Sequence, residues 1–250
     1  MATRSGPIAI EGVRREIYGE SRVGRFVPDE PWGDEPTVAF REQDDAVVLA
    51  LADGSASWED GREGSRRAVL LLSKAVASAR DPRGVEDAFA AAGSALGQWN
   101  SSRAKESAFG RRPPQVDCSI VTCLILRDEV LIAWMGEAGG VIVSDGEVLY
   151  ATELDTLGAR LVAEGKLRPE ELATYEHANI LLSVFSGEPA RTPPRVLSCP
   201  RVPGAFVLLA GRGVSTTSDR LRSGSARALV LAQLSARDPD HECAAIAARL

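Results

Sequence analysis

Residues 49–69 read LALADGSASWEDGREGSRRAV. The apolar letters before Ala-Asp-Gly complete a longer run, DAVVLAL from Asp45 to Leu51. Such a run is short, β-branched and closed by Asp-Gly, the pattern of a buried strand ending in a turn. Its rim carries Asp53, which fits either a pocket carboxylate or a simple Asp-Gly turn. Beyond a polar loop, SRRAVLLLSKAVASA places Ala68, Leu71, Leu72, Ala75 and Val76 at helical spacing. A buried strand, an acidic residue at its end and an amphipathic helix therefore succeed one another.

Working outward, a second, alanine-rich helix is expected from Val85 to Trp99, after Asp81-Pro82. The segment SSRAKESAFGRRPPQ reads as a long connector, because it mixes serines, charges and Pro113-Pro114. Its basic residues Arg103, Lys105, Arg111 and Arg112 suit a solvated loop. From Asp117 to Ala151, short apolar runs are split by Arg127-Asp128, Gly139-Gly140 and Asp145-Gly146, the rhythm of an antiparallel meander. Ser119 and Thr122 fall on its first strand and read as core hydroxyls. Two helices are expected next, with a break at Gly165 and a restart near Pro169. Strands at Arg195–Cys199 and Ala205–Ala210, a helix from Leu221 to Leu234 and a last strand, CAAIAARL, complete the chain. Grouped strands with helices between the groups argue for α+β rather than a repeated βαβ unit.

The 250 residues, 44% of them apolar, suffice for a sizeable core, and the expectation is a single domain over 1–250 with residues 1–20 as an extra strand or arm. The net charge is −6, from 29 basic and 35 acidic residues interspersed along the chain, so no broad positive field exists to collect nucleic acid or anionic lipid. The first residues carry Arg4, Glu11, Arg14 and Arg15 without an apolar core, unlike a signal peptide. No apolar run approaches the roughly 20 residues of a spanning helix, and a cytoplasmic location is expected. Four cysteines without a Cys-x-x-Cys pair read as buried reduced thiols. Two histidines give little basis for a histidine-rich zinc site or a Ser-His-Asp hydrolase.

Three stretches together carry a resemblance: LALADGSASWEDGREGSRRAV, MGEAGGVIVSDGEV from Met135 to Val148, and RLVAEGKLRPEELATYEHANILLSVFSG from Arg160 to Gly187, which includes His177 and Asn179. In order and spacing they resemble the metal-dependent serine/threonine protein phosphatases of type 2C, over nearly the whole chain from about Val47 onward. The resemblance implies a four-layer α-β-β-α sandwich, with two antiparallel sheets inside, helix pairs outside and a site at one end. It also implies two divalent cations, Mg²⁺ or Mn²⁺, which demand oxygen ligands and several carboxylates to offset their charge.

Carried over by position, Asp53 matches the family's bridging aspartate and the Gly54 carbonyl matches its backbone ligand. The Asp of the family's Gly-Asp-Ser falls on Glu137. The acidic motif near the N-terminus has Asp34 as its best counterpart, with Arg22 or Arg25 as the phosphate-gripping arginine. In FVLLAGRGV, Phe206 to Val214, the family's Ser-Asp-Gly falls on Gly211-Arg212-Gly213, so a guanidinium stands where a metal-binding carboxylate is expected. The terminal Asp-Asn falls on His241-Glu242, where Glu242 is a candidate ligand and His241 a candidate for a transition metal. On local sequence alone Arg212 reads as a solvated turn residue, and a shifted alignment would put Asp219 in the ligand position.

These correspondences lead to the expectation of a 2C-type domain with a degenerate metal site. It acts as a pseudophosphatase, a binding or regulatory module for a protein partner phosphorylated on serine or threonine, without nucleic acid or membrane. The alternative is an active, divergent phosphatase using Mg²⁺ or Mn²⁺ at Asp53, Gly54, Asp34, Glu137 and Glu242.

Overall fold

A computed structural model describes residues 8–12, 16–22, 37–42, 45–54, 61–106, 117–187, 192–211, 214, 221, 224–235 and 243–250. Two antiparallel sheets form the centre. The first has the order β1 (Ile8–Gly12), β2 (Ile17–Arg22), β12 (Cys243–Arg249), β11 (Phe206–Ala210), β7 (Gly139–Ser144), β8 (Glu147–Ala151). The second has the order β10 (Arg195–Pro200), β6 (Glu129–Met135), β5 (Asp117–Ile125), β4 (Val47–Gly54), β3 (Thr37–Glu42), with β9 (Phe185–Ser186) pairing the start of β5. Strands β1 and β2 thus pair antiparallel and extend the first sheet through β12.

The four strands expected between Asp117 and Ala151 are present as β5 to β8, but the single meander needs correction. Strands β5 and β6 form a hairpin of the second sheet, and the chain then crosses at residues 136–138 to the other sheet, where β7–β8 forms a separate hairpin. The turn of that second hairpin sits on Asp145 and Gly146, both at positive φ (51° and 85°), the backbone conformation for which Asn, Asp and Gly are suited. Strand β4 is buried over its full length, because both of its faces are covered. Val47, Leu49 and Leu51 join the cluster between the sheets, whereas Val48, Ala50 and Ala52 face the helices. Strand β11 alternates in the same way, with Val207 and Leu209 between the sheets and Phe206, Leu208 and Ala210 on the outer side. This period-two division of a continuous apolar run explains why neither strand shows an alternating polar face.

Helices α1 (Gly61–Val76) and α2 (Pro82–Glu106) cover the outer face of the second sheet. Ala68, Val69, Leu72 and Val76 of α1 and Val85, Phe89, Ala92 and Leu96 of α2 fill the layer. Asp81 starts α2 by accepting the Gly84 amide at 2.7 Å, with Pro82 in the first turn, where its missing N–H costs nothing. A short helix, α3 (Leu157–Ala163), comes after β8. The first sheet is covered by α4 (Ala226–Ser235), which packs on β12, β2 and β11. Leu221, ahead of α4, is also helical and joins the same outer layer. None of the described helices is long and apolar enough to cross a membrane.

Three further expectations need correction. Helix α2 runs on through Ser101–Glu106, six residues expected to belong to a connector. Nothing there breaks a helix, and the hydroxyls of Ser101 and Ser102 donate back to the Gly97 and Trp99 carbonyls at 2.8 Å each. Arg111 and Arg112 lie outside the described residues.

The restart at Pro169 yields one 3₁₀ turn, Pro169–Glu171, instead of a helix. Glu171 receives both the Arg168 amide (2.8 Å) and its guanidinium (2.6 Å), so the start signal is genuine. The residues beyond that turn lack an apolar face with a core to meet, as the half-exposed Ile180 shows. Their backbone closes into turns and then pairs back on α3, with Leu157 N–H to Ile180 O at 2.8 Å and Gly158 N–H to Ala178 O at 3.0 Å. Finally, α4 begins at Ala226 instead of continuing unbroken from Leu221, because Ser225 caps it by accepting the Ala228 amide at 3.2 Å.

Candidate functional site

Strands β4 and β11 belong to opposite sheets and end at the same rim of the sandwich. In β4 the inter-sheet row 47, 49, 51 continues to Asp53, and in β11 the row 207, 209 continues to Gly211. The two next residues meet across the gap. A β-carbon placed on Gly211 would lie 2.7 Å from Asp53 Oδ2 and 3.4 Å from its Cγ, so only glycine fits beside the carboxylate in this arrangement. The Gly211 amide donates to Ala244 O at 3.2 Å, which fixes the strand end against β12. Asp53 is 7% exposed, a carboxylate mostly withdrawn from water at the top of an apolar gap.

On the other side of β4, Asp53 pairs in register with Ser119, and Gly54 pairs with Cys118. Ser119 is buried, as expected of a core hydroxyl, and its oxygen has a specific task. It accepts the Glu137 amide at 3.1 Å, just past the end of β6. The preceding residue, Gly136, has φ +80°, and a β-carbon there would come within 2.4 Å of the same hydroxyl oxygen. The Gly-Glu turn therefore closes on Ser119 only because position 136 lacks a side chain. Asp53 and Glu137 thus stand on the two sides of one serine, the first by strand pairing and the second by a hydrogen bond. Thr122, the other hydroxyl on β5, is 1% exposed and its oxygen has no hydrogen-bond partner among the described residues.

Cys118 shows what charge prevails here. Burial pushes its thiol up, and the negative charges of Asp117 and Asp53 push it further in the same direction. The thiol donates to the Phe185 carbonyl at 3.7 Å. Cys118 is a protonated, buried thiol and no nucleophile. Cys123 and Cys199 are also buried and unpaired, consistent with reduced core thiols.

The site residues named from the sequence divide into two groups. Asp53, Gly54 and Glu137 are described and brought around Ser119. Arg212, Asp34, Glu242, His241, Arg25 and Asp219 lie outside the described residues, and Arg22 is placed only as the last residue of β2. Among the described residues, no three His, Cys, Asp or Glu side chains gather into a metal-holding group. Among the described residues the candidate donors are two carboxylates and one carbonyl, and the four positive charges of a pair of divalent cations call for several more anionic oxygens.

Ser119, Gly136 and Gly211 were not singled out from sequence as parts of the site. A glycine directly after a strand end was the available signal at both 136 and 211. A cavity of about 1100 Å³ lies elsewhere, between α2 and β9, lined by Phe89, Gly97, Met135, Phe185 and Pro193 among others, and none of Asp53, Gly54 and Glu137 borders it.

Comparison with known proteins agrees with this architecture. The serine/threonine protein phosphatase PstP of Mycobacterium tuberculosis is 26% identical over 142 residues, which cover 57% of this chain and 27% of PstP, so the match spans about a quarter of that relative's length. A crystal structure of the PstP phosphatase superposes with TM-score 0.70 at 20% identity, covering 94% of this chain and 97% of that one. Stp1 from Staphylococcus aureus gives TM-score 0.71 at 16% identity over 98% and 99% of the two chains. A PstP catalytic domain solved in complex with 2 manganese ions gives TM-score 0.66 at 19% identity over 93% and 96%. These identities speak for the fold. The profile of the protein phosphatase 2C family matches residues 30–240, most of the chain, and the protein belongs to that family.

Proposed function

We propose that this 2C-type phosphatase domain is impaired in metal-dependent hydrolysis and serves as a binding or regulatory module. Its rim at Asp53 engages a protein partner phosphorylated on serine or threonine. The observation that carries the reading is the contact between Gly211 and the Asp53 carboxylate. The next residue in the chain is an arginine, in the place where the family's pattern has a metal-binding aspartate. A guanidinium one residue beyond Gly211 has the reach to form a bidentate pair with Asp53.

Exchanging a carboxylate for a guanidinium alters the local charge by two units. A fixed cation a few ångströms from a divalent metal is repelled on the order of several kcal/mol at an effective dielectric of about 20. The same guanidinium offsets the charge of Asp53, so a buried acidic rim survives without inorganic cations. With Arg212 and the His241-Glu242 pair both departing from the family's pattern, two ligand positions change at once. A partner's phosphate would find at this rim the planar donor that suits it.

The retained Asp53 and the braced Glu137 favour one second reading, a divergent phosphatase with an altered Mg²⁺ or Mn²⁺ site. Calorimetry with Mn²⁺, followed by hydrolysis of p-nitrophenyl phosphate, separates the two. The proposal expects no binding heat at millimolar Mn²⁺ and no turnover. Mn²⁺-dependent hydrolysis that disappears in Asp53→Asn would overturn it and establish the second reading. Arg212→Asp is expected to gain Mn²⁺ binding without full activity, since His241 and Glu242 still depart from the pattern.

A further inference from the structure

Between β8 and β9 the chain makes an excursion, residues 157–182, outside the two sheets. Its neck is built around Asp155, which is 9% exposed. The Asp155 carbonyl accepts the Leu182 amide at 3.0 Å, and its carboxylate accepts the Ser183 hydroxyl. Thr156 bridges to Leu181 and caps α3 through the Ala159 amide at 3.3 Å. Entry and exit of the excursion are therefore tied together along residues 155–158, with Asp155 the first of these ties. The remaining backbone donor of Asp155 leads elsewhere, for its amide donates to the Gly136 carbonyl at 2.9 Å. Gly136 is the residue whose positive φ sets the turn that carries Glu137, and the Ser119 hydroxyl holds that turn from its other side.

We propose that Asp155 is a positioning residue that couples the 157–182 excursion to the Gly136-Glu137 turn, so that a partner resting on the excursion is felt at Glu137, across Ser119 from Asp53. The coupling passes through three bonds of a single residue. Its carboxylate and carbonyl hold the neck closed, and its amide holds the turn. Because Asp155 is nearly buried, water replaces these bonds poorly, and loosening the neck loosens the turn. The excursion itself is exposed over residues such as Glu164, Lys166 and Glu170, which gives a partner access to it. The functional part of the inference rests on the rim being the binding site; the coupling itself does not.

The test is amide hydrogen exchange, read residue by residue by NMR on the full chain, in wild type, Asp155→Ala, Asp155→Asn and Ser183→Ala. Asp155→Ala is expected to speed exchange about five- to tenfold at both Leu182 and Glu137, with Leu124 in the sheet interior unchanged. Asp155→Asn keeps an acceptor for Ser183 and is expected to return both amides close to wild type, a rescue that general loosening of the fold would not give. Ser183→Ala, a milder change, is expected to speed the same two amides by a few-fold. The coupling is overturned if Glu137 exchanges at the wild-type rate while Leu182 accelerates, if Leu124 accelerates equally, or if the asparagine fails to rescue. A parallel titration with a phosphothreonine peptide keeps the two ideas apart. Absence of wild-type peptide binding would count against the rim as a phosphoprotein site, while exchange at Glu137 would still decide the coupling.

Discussion

Strands β4 and β11 are alike in their bodies and unlike at their ends. Each is apolar throughout, each sends alternate residues into the gap between the sheets, and each delivers its last inter-sheet residue to one rim. At that rim β4 presents Asp53, whereas β11 presents a glycine followed in sequence by an arginine. The bodies are governed by burial, which many apolar residues satisfy. The ends are governed by charge and by room for one side chain, which few residues satisfy. A family can keep the first while changing the second, because the two draw on different interactions.

The largest effect is expected from damage to a body. Leu49 is completely buried between the sheets, and Leu49→Ala should cost about 2–5 kcal/mol of stability in urea unfolding. Native-state amide exchange at Glu137 should stay as in wild type, since no rim contact is touched. A loss of rim protection in that variant would show that body and rim are not separable.

Next in size is Gly211→Ala, expected to cost about 1–3 kcal/mol, because the new methyl must displace the Asp53 carboxylate. Combining it with Asp53→Gly should recover part of that loss, a coupling visible in a double-mutant cycle. Strictly additive losses would mean that the two strand ends do not touch.

How far such features can be read in advance differs between the same two levels. Strand β4, helix α1, the strands β5 to β8 and β12 emerge from periodicity, because apolar spacing is written in each segment and each segment finds a core to face. The division of β5–β6 and β7–β8 between the two sheets does not, since local spacing carries no record of which sheet a hairpin joins. The expectation fails where a local signal lacks a tertiary partner. Pro169 and Glu171 start a helix that no apolar stripe sustains, so it ends after one turn. The opposite failure occurs at Ser101–Glu106, where polar letters suggest a loop but good helix formers simply extend α2. At the rim, Asp53 and Glu137 stand out as acidic residues at strand ends. Ser119 does not, because a serine among apolar neighbours looks like any core hydroxyl until β6 brings the Glu137 amide to it. Gly136 and Gly211 matter for an absent side chain, which local sequence cannot distinguish from an ordinary turn.

A smaller effect is expected at that serine. Ser119→Ala leaves the Glu137 amide without its acceptor, at a cost of about 1 kcal/mol in chemical denaturation. Unlike Leu49→Ala, it should leave the bulk of the sheet protected and raise exchange chiefly at Glu137. Uniform acceleration across β4 and β5 would assign the hydroxyl to the body and not to the rim.

The smallest expected effect lies in alkaline solution and again divides rim from body. Burial, aided by the charge of Glu129, pushes the Cys199 thiol up to about 11 from 9.0. The folded chain then keeps this proton to higher pH than the unfolded chain does. Stability from the group is complete below pH 9.0, declines as the unfolded thiol ionises, and is fully lost once pH passes about 11. Cys199→Ala should therefore flatten the fall in unfolding free energy across that window, and an unchanged slope would refute the assignment. Asp53→Asn provides the contrast. It removes one of the charges that raises Cys118 at the rim and should draw that thiol down, while Cys199, whose shift comes from burial and Glu129, keeps its titration. A parallel shift of both thiols would mean that the charge of Asp53 reaches through the body of the sheet, and the separation of strand bodies from strand ends would no longer hold.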